Sequence, residues 1–229
     1  MIQEFKDKRF IVLTGNYGSG KTELALNLAL YYANAGMRTT LVDLDIVNPY
    51  FRSGEKYQEM QDAGVRMMMP TFALTTVDIP ALPAEIQSVF ELPSDKVIFD
   101  VGGDDTGAAA LGRYHHAFEQ RRDQTMMALV VNCMRPLTGN QEDIMDLALR
   151  ISSRSRMQID MMINNTNLAN DTTPQMIETG ESITASCAAR MNIPCIVSAG
   201  MPEIIGQANC HNPILSVRRY MVPEWMDSI

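Results

Sequence analysis

The sequence predicts a doubly wound α/β fold, a mostly parallel sheet with helices on both faces, and three observations carry that prediction. Six short apolar runs, at residues 10–13, 40–44, 65–69, 97–101, 126–131 and 158–163, alternate with helix-like segments, and a seventh follows at 193–197. Such alternation is the signature of β-α-β units. Most runs are continuously apolar rather than alternating, as strands buried on both faces require. Polar residues then collect where the runs end: Thr14, Asp43 with Asp45, Asp100, Asn132, Asn164 with Asn165, and Ser198. In an open parallel sheet the ligand lies beyond the carboxyl ends of the strands, so seven loops are expected to converge on one site.

The first run leads into Gly15-Asn16-Tyr17-Gly18-Ser19-Gly20-Lys21-Thr22, which fits G-x-x-x-x-G-K-[ST] between a strand and a helix. Glycines let successive N–H groups and the helix N-terminus face one anion, Lys21 adds charge for terminal phosphates, and the Thr22 hydroxyl can ligate Mg²⁺. A Gly-rich turn without a ligand is the alternative. The helix that follows starts at Glu23 and places Leu24, Leu28 and Tyr31 at helical spacing.

Further along, Ala110, Tyr114 and Phe118 recur at the same spacing, as do Ile144, Leu147, Ala148 and Ile151. Asn140 or Thr138 can cap the latter helix, and Thr173-Pro174 reads as the start of another. The segment at 70–94 is bracketed by Pro70, Pro80, Pro83 and Pro93 around a short predicted helix at 84–90, either loosely packed or a flap. No internal repeat or linker interrupts the pattern, so residues 1–229 read as one nucleotide-binding domain. The 18 methionines are scattered over separate strands, as gap-filling core residues are.

Composition narrows the partners. The net charge of −8 argues against a general affinity for nucleic acid or anionic lipid. The basic pairs Arg121-Arg122 and Arg218-Arg219 read as solvated helix ends. Four cysteines without C-x-x-C spacing suggest neither a zinc site nor a disulfide framework. No apolar run approaches a membrane span, and the first nine residues carry Glu4, Lys6, Asp7, Lys8 and Arg9 without an apolar signal core. A cytoplasmic location is expected.

The acidic strand ends carry the remaining chemistry. Asp100-Val101-Gly102-Gly103 fits a Walker B carboxylate followed by D-x-x-G, in which Asp100 can hold a water on Mg²⁺ and the Gly103 N–H can reach a γ-phosphate; a plain strand end with a glycine turn is the alternative. Asp43 and Asp45 stand two apart, which puts both carboxylates on one side of a strand. One can support Mg²⁺ through water and the other can orient an attacking water; two solvated carboxylates are the alternative. His115 and His116 share a helix with Tyr114 and Phe118 and read as structural. Pro49-Tyr50-Phe51 reads as a docking surface or a packed loop anchor.

The loop from Gly15 to Thr22, the helix with Ala25-Leu26-Asn27-Leu28-Ala29, the Gly36 turn and the D-x-D of Asp43 and Asp45 resemble the MinD/ParA/CobQ group of P-loop ATPases. The likeness is strong over residues 9–55, moderate over 97–103 and faint at Ile163-Asn164-Asn165. It implies an ATP- and Mg²⁺-binding α/β ATPase that changes shape with nucleotide, often as an ATP-dependent homodimer. By matching, Lys21 neutralises the β and γ phosphates, Thr22, Asp43 and Asp100 form the metal site, and Asp45 poises the hydrolytic water. Gly15, Asn16, Tyr17, Gly18, Ser19, Gly20, Lys21, Thr22, Gly103, Asn164 and Asn165 hold the nucleotide.

Asn16 occupies the position of the group's second, signature lysine, which leaves dimer-activated hydrolysis in doubt and makes Arg52 a candidate substitute. Guanine readers of similar layout use N-K-x-D; Asn167 stands where that Asp would be, and an amide matches adenine better. The sequence therefore points to an Mg²⁺-dependent ATPase that switches a protein partner. A small-molecule kinase or ATP-dependent ligase of the cobyric-acid or dethiobiotin type, with Arg113 or Arg135 clamping an anionic acceptor, and a non-hydrolysing nucleotide-binding scaffold are the other readings.

Overall fold

Continuous apolar runs can be satisfied only by a sheet covered on both sides, and that is what forms. The computed structural model describes residues 3–45, 54–69, 84–103 and 105–221. Arg52, the Pro49-Tyr50-Phe51 loop, Asp104 and residues 70–83 of the proline-bracketed segment lie outside them. Eight strands, β1 (Phe10–Thr14), β2 (Thr39–Leu44), β3 (Val65–Met68), β4 (Lys96–Val101), β5 (Thr125–Val131), β6 (Met161–Asn164), β7 (Cys195–Gly200) and β8 (Ile214–Ser216), make one sheet in the order β3-β2-β4-β1-β5-β6-β7-β8. Every pairing is parallel. The helices are α1 (Lys21–Asn34), α2 (Gly54–Asp62), α3 (Ala84–Ser88), α4 (Asp105–Gly112), α5 (His115–Glu119), α6 (Gln141–Ser155), α7 (Pro174–Arg190) and α8 (Pro202–Ile205).

Period-two alternation sorts the core into two layers. Phe10 and Val12 of β1, Phe99 of β4 and Leu129 of β5 face the side covered by Leu111, Phe118, Ile144 and Leu147. Ile11 and Leu13, Ile98 and Ala128 face the side covered by Leu24, Leu28 and Tyr32 of α1. On the first side Phe10, Phe90, Phe99 and Phe118 form an aromatic cluster; the Phe90 and Phe118 rings meet edge to face at 4.9 Å.

The chain winds from β1 outward through β2 to β3, returns to place β4 beside β1, and then continues on the other flank with β5. β1 thus sits at the point where the winding reverses, and the crevice at its carboxyl end receives the loop after Thr14.

Several expectations shift in detail. The helix read through Ala110, Tyr114 and Phe118 is two helices, α4 and α5, interrupted after Gly112. On α1 it is Tyr32 that is buried and Tyr31 that is 47% exposed. The sixth strand begins at Met161 rather than 158, and the short predicted helix at 84–90 ends at Ser88. Of the two caps considered for α6, Asn140 serves: its side chain accepts from the Asp143 N–H, while Thr138 closes the preceding 3-10 turn. Thr173 caps α7 with Pro174 in the first turn. The eighth strand was absent from the expectation because three residues on a sheet edge carry too little apolar signal to stand out.

Candidate functional site

The loop between β1 and α1 gets its shape from its glycines. Gly20, with φ 89, precedes α1 without offering a side-chain cap, so the first amides of the helix are left for a ligand. A Cβ at Gly20 would lie 2.3 Å from Nδ2 of Asn165. Its absence lets that amide reach in and donate to the Ser19 carbonyl at 2.8 Å, bracing the loop from the end of β6. Lys21 is 6% exposed and donates through Nζ to the Asn16 carbonyl at 3.0 Å, so the cation lies across the loop mouth.

The carboxylates are placed by strand register. Asp43 of β2 and Asp100 of β4 are register partners, and each stands two residues beyond a side chain, Leu41 or Ile98, that packs on the α1 side. Both therefore share that side of the sheet. Thr22 Oγ1 donates to Asp100 Oδ2 at 2.7 Å, tying α1 to β4. Asp43 accepts from the Asp45 N–H at 2.8 Å, which turns the chain at the strand end and leaves Asp45 bordering the cleft. Burial drives the Asp100 carboxyl up to about 6; Lys21 and the Thr22 hydroxyl pull the other way, and Asp45 adds to the rise.

Asp100 Oδ1 is buried and has no hydrogen-bond partner. An orphaned carboxylate oxygen beside a threonine hydroxyl and a second carboxylate is a costly arrangement unless a cation completes it. Among the described residues no group of three or more His, Cys, Asp or Glu is placed to hold a metal. Mg²⁺ needs no such cage, since it takes one or two carboxylates with waters and phosphate oxygens. Thr22, Asp43 and Asp100 fit that donor set.

The D-x-x-G turn packs directly on the loop. A Cβ at Gly103 would lie 2.5 Å from the Tyr17 nitrogen and 2.8 Å from the Asn16 carbonyl carbon. Only glycine permits that approach, so residues 100–103 and the phosphate loop are in backbone contact.

An open cleft of about 760 Å³ runs from this point across the ends of β1, β5, β6 and β7. Asn16, Tyr17, Lys21, Thr22, Asp45 and Arg135 line it together with Thr166, Ile177, Met201, Ile204, Val217 and Met221, and with Asn165 and Asn167. The dimensions and the mix of apolar walls with a few polar groups suit a small-molecule ligand.

Not every expected ligand reaches this cleft. Asn164 is fully buried: its Nδ2 donates to the Ile177 carbonyl and to Ser198 Oγ, and its Oδ1 accepts from the Thr166 N–H. The structure thus makes it an internal strut where a nucleotide contact was expected. Ser19 and Gly15 shape the loop from beneath, with Ser19 Oγ buried and unpartnered. Asn167 turns back on its own loop, donating to the Asn165 carbonyl at 2.7 Å and accepting from the Ala169 N–H. Asn132 fastens that loop, donating to the Asn167 carbonyl and accepting from the Asn167 N–H. His115 engages Glu119 within α5 and His116 engages Gln120 just past its end, and neither histidine lines the cleft.

The C-terminal wall was not anticipated. Arg219, read as half of a solvated basic pair, borders the cleft and donates to Asn170 Oδ1. The signal was the alternation of Leu215 and Val217 with polar neighbours, too short to separate from a surface loop.

The sequence matches no curated protein. Solved structures share the fold at low identity. A nucleotide-binding protein from Archaeoglobus fulgidus in complex with ADP is 15% identical over 84% of this chain and 81% of its own, with a TM-score of 0.51. Chloroplast FtsY from Physcomitrella patens is 16% identical over 82% of this chain, with a TM-score of 0.54. The 54 kDa signal recognition particle protein from Aeropyrum pernix K1 in complex with GDP is 23% identical over 84%, with a TM-score of 0.51. The chain spans only 58% and 42% of the latter two. The family model of the CobQ/CobB/MinD/ParA nucleotide-binding domain matches residues 10–183, well over half of the chain. A strand-loop-helix with Lys21 at its mouth, two register-paired carboxylates and an all-parallel sheet agree with that match, and the chain belongs to the CobQ/CobB/MinD/ParA nucleotide-binding domain family.

Proposed function

We propose that this protein is an Mg²⁺-dependent ATPase whose nucleotide state is read by a protein partner. The observation that carries the reading is the orphaned Oδ1 of Asp100 beside the Thr22–Asp100 hydrogen bond. A buried carboxylate oxygen in that position is complemented by a metal-bound water. Mg²⁺ held at Thr22, with Asp43 and Asp100 behind it, would neutralise charge between the β and γ phosphates. Lys21 exchanges its bond to the Asn16 carbonyl for the terminal phosphates. The first amides of α1 and the loop N–H groups orient the chain of phosphates. Asp45, at the cleft edge, accepts a proton from the attacking water and holds it in line.

Adenine is favoured because position 167 holds an amide in place of the carboxylate that would pair with the N1–H and the exocyclic N2 amino group of guanine. The switch reading rests on the backbone contact of Gly103 with Asn16 and Tyr17: a γ-phosphate that draws the Gly103 N–H moves residues 100–103 against the loop.

Purified protein should bind ATP with Mg²⁺ more tightly than with a chelator present, release phosphate slowly, and prefer ATP to GTP. Lys21→Ala should abolish both binding and turnover. Hydrogen exchange at residues 100–103 should differ between ATP- and ADP-loaded protein. Absence of binding and phosphate release in the wild type, with Lys21→Ala indistinguishable from it, overturns the proposal.

A further inference from the structure

We infer that Arg135 is a clamp on the nucleotide's polyphosphate, acting from the same chain as the phosphate loop. The inference rests on the nucleotide-binding reading above and assigns that site a second cation. Within the loop from Gly15 to Thr22, Lys21 is the one charged residue. Position 16, at the loop's entrance, is an asparagine whose carbonyl receives the Lys21 ammonium. A triphosphate carries more negative charge than one lysine balances.

Arg135 enters from the far side of the loop. It follows β5 by four residues, and its backbone is pinned at both ends: its N–H donates to the Asn132 carbonyl at 3.1 Å, and its carbonyl accepts from the Thr138 N–H at 3.0 Å. Pro136 stiffens the next step. The side chain lies along Gly18, with Nε donating to the Gly18 carbonyl at 3.1 Å. A Cβ at Gly18 would stand 3.3 Å from that Nε and 3.6 Å from the guanidinium carbon, so the loop's missing side chain makes room for the guanidinium.

Nε is thereby fixed, and among the described residues Nη1 and Nη2 make no hydrogen bond or ion pair. Arg135 lines the same cleft as Lys21 and Thr22. A guanidinium tethered through Nε keeps two coplanar donors in a fixed direction, the geometry that grips two oxygens of a phosphate. An exposed arginine with no task has no reason to be anchored at its Nε to the one loop that cradles phosphate. A lysine could not be held this way, because its only donors are at the tip.

The test compares Arg135→Ala, Arg135→Gln and Arg135→Lys with wild type and Lys21→Ala, measuring affinity for ATP, ADP and AMP and the rate of phosphate release. Arg135→Gln retains an amide N–H that can still bond the Gly18 carbonyl but has no charge, so it separates loop bracing from phosphate contact. The expected result is a roughly ten- to hundredfold loss of ATP and ADP affinity in both Arg135→Ala and Arg135→Gln. AMP binding should be little changed, and Arg135→Lys should recover only part. Wild-type affinity for ATP in Arg135→Gln, or an equal loss for AMP, overturns the clamp. If Lys21→Ala loses ATP while the Arg135 variants do not, the clamp fails and the nucleotide reading stands. A wild type that binds no nucleotide removes both.

Discussion

Asp100 is the residue at which stability and the proposed function oppose each other. Its carboxyl titrates at about 6 because it is buried, and ionising it in the nucleotide-free protein therefore costs free energy that the unfolded chain does not pay. The folded state binds this proton more tightly than the unfolded state does. Its stabilising contribution is therefore present at low pH and is lost as pH rises from about 4 to about 6, a change of about 3 kcal/mol. Asp100→Asn keeps an oxygen for the Thr22 hydroxyl and removes the charge. It should raise the melting temperature of the nucleotide-free protein by several degrees above pH 6 and leave it unchanged below pH 4. On the proposed reading, Mg²⁺ with ATP should stabilise the wild type, and the same variant should lose that extra stabilisation. Thermal scans with and without Mg²⁺-ATP across that pH range check both halves; a variant less stable than wild type at pH 7 would show that the buried charge is already compensated. The sequence made Asp100 legible as a strand-end acid, because strand, acid and glycines are contiguous. It could not show Asn164 as a strut, since an amide at a strand end faces ligand or interior according to contacts with Ile177 and Ser198, 13 and 34 residues away.

At the scale of elements, one buried carboxylate ties α7 to β7 and to the turn that precedes β8. Glu181, in the middle of α7, accepts from Ser198 Oγ of β7 at 3.2 Å, from the His211 N–H at 2.9 Å, and from the Asn212 N–H and Nδ2 at 3.0 and 3.1 Å. Ser198 Oγ in turn receives Asn164 Nδ2 of β6. Burial acts to raise the Glu181 pKa, and these four hydrogen bonds together outweigh it and hold the group below the ordinary carboxyl range. The sign is opposite to that of Asp100: stability from Glu181 is present above the unfolded carboxyl value and is lost as pH falls through the folded one. Glu181→Gln cannot accept four bonds and leaves a backbone N–H unpaired, at about 2–3 kcal/mol. Urea unfolding at pH 7 should show that loss, and the gap between variant and wild type should narrow below pH 4. A constant gap at all pH would mean that the carboxylate's charge contributes nothing. None of this network was readable beforehand, because its partners are scattered from 164 to 212 and carry no periodicity. Most strands were readable because they are contiguous runs buried on both faces, and β8 was missed because it is neither long nor buried on both.

For the whole molecule, the C-terminal segment of the described chain returns to the cleft beside the loop after β1. After β8 the chain runs back along α1, directly behind the phosphate loop. The Val217 N–H donates to the Gly200 carbonyl, and Arg218 exchanges two bonds of 2.8 Å with the Asn27 side chain. The Tyr220 and Met221 N–H groups then converge on the carboxylate of Glu23, two residues beyond Lys21. Val217, Arg219 and Met221 also line the cleft. On the proposed reading, α1 would present its first amides to the phosphates and also hold the wall that meets the rest of the nucleotide. Releasing that wall should weaken contacts to the base and ribose and spare those to the phosphates. Glu23→Ala combined with Asn27→Ala removes its four anchoring bonds to α1 and should lower ATP affinity roughly tenfold. Affinity for inorganic tripolyphosphate, which has no base to enclose, should stay within about twofold of wild type. Equal losses for the two ligands would place the effect in the phosphate loop itself, and an unchanged ATP affinity would make residues 217–221 a structural tie with no part in the site.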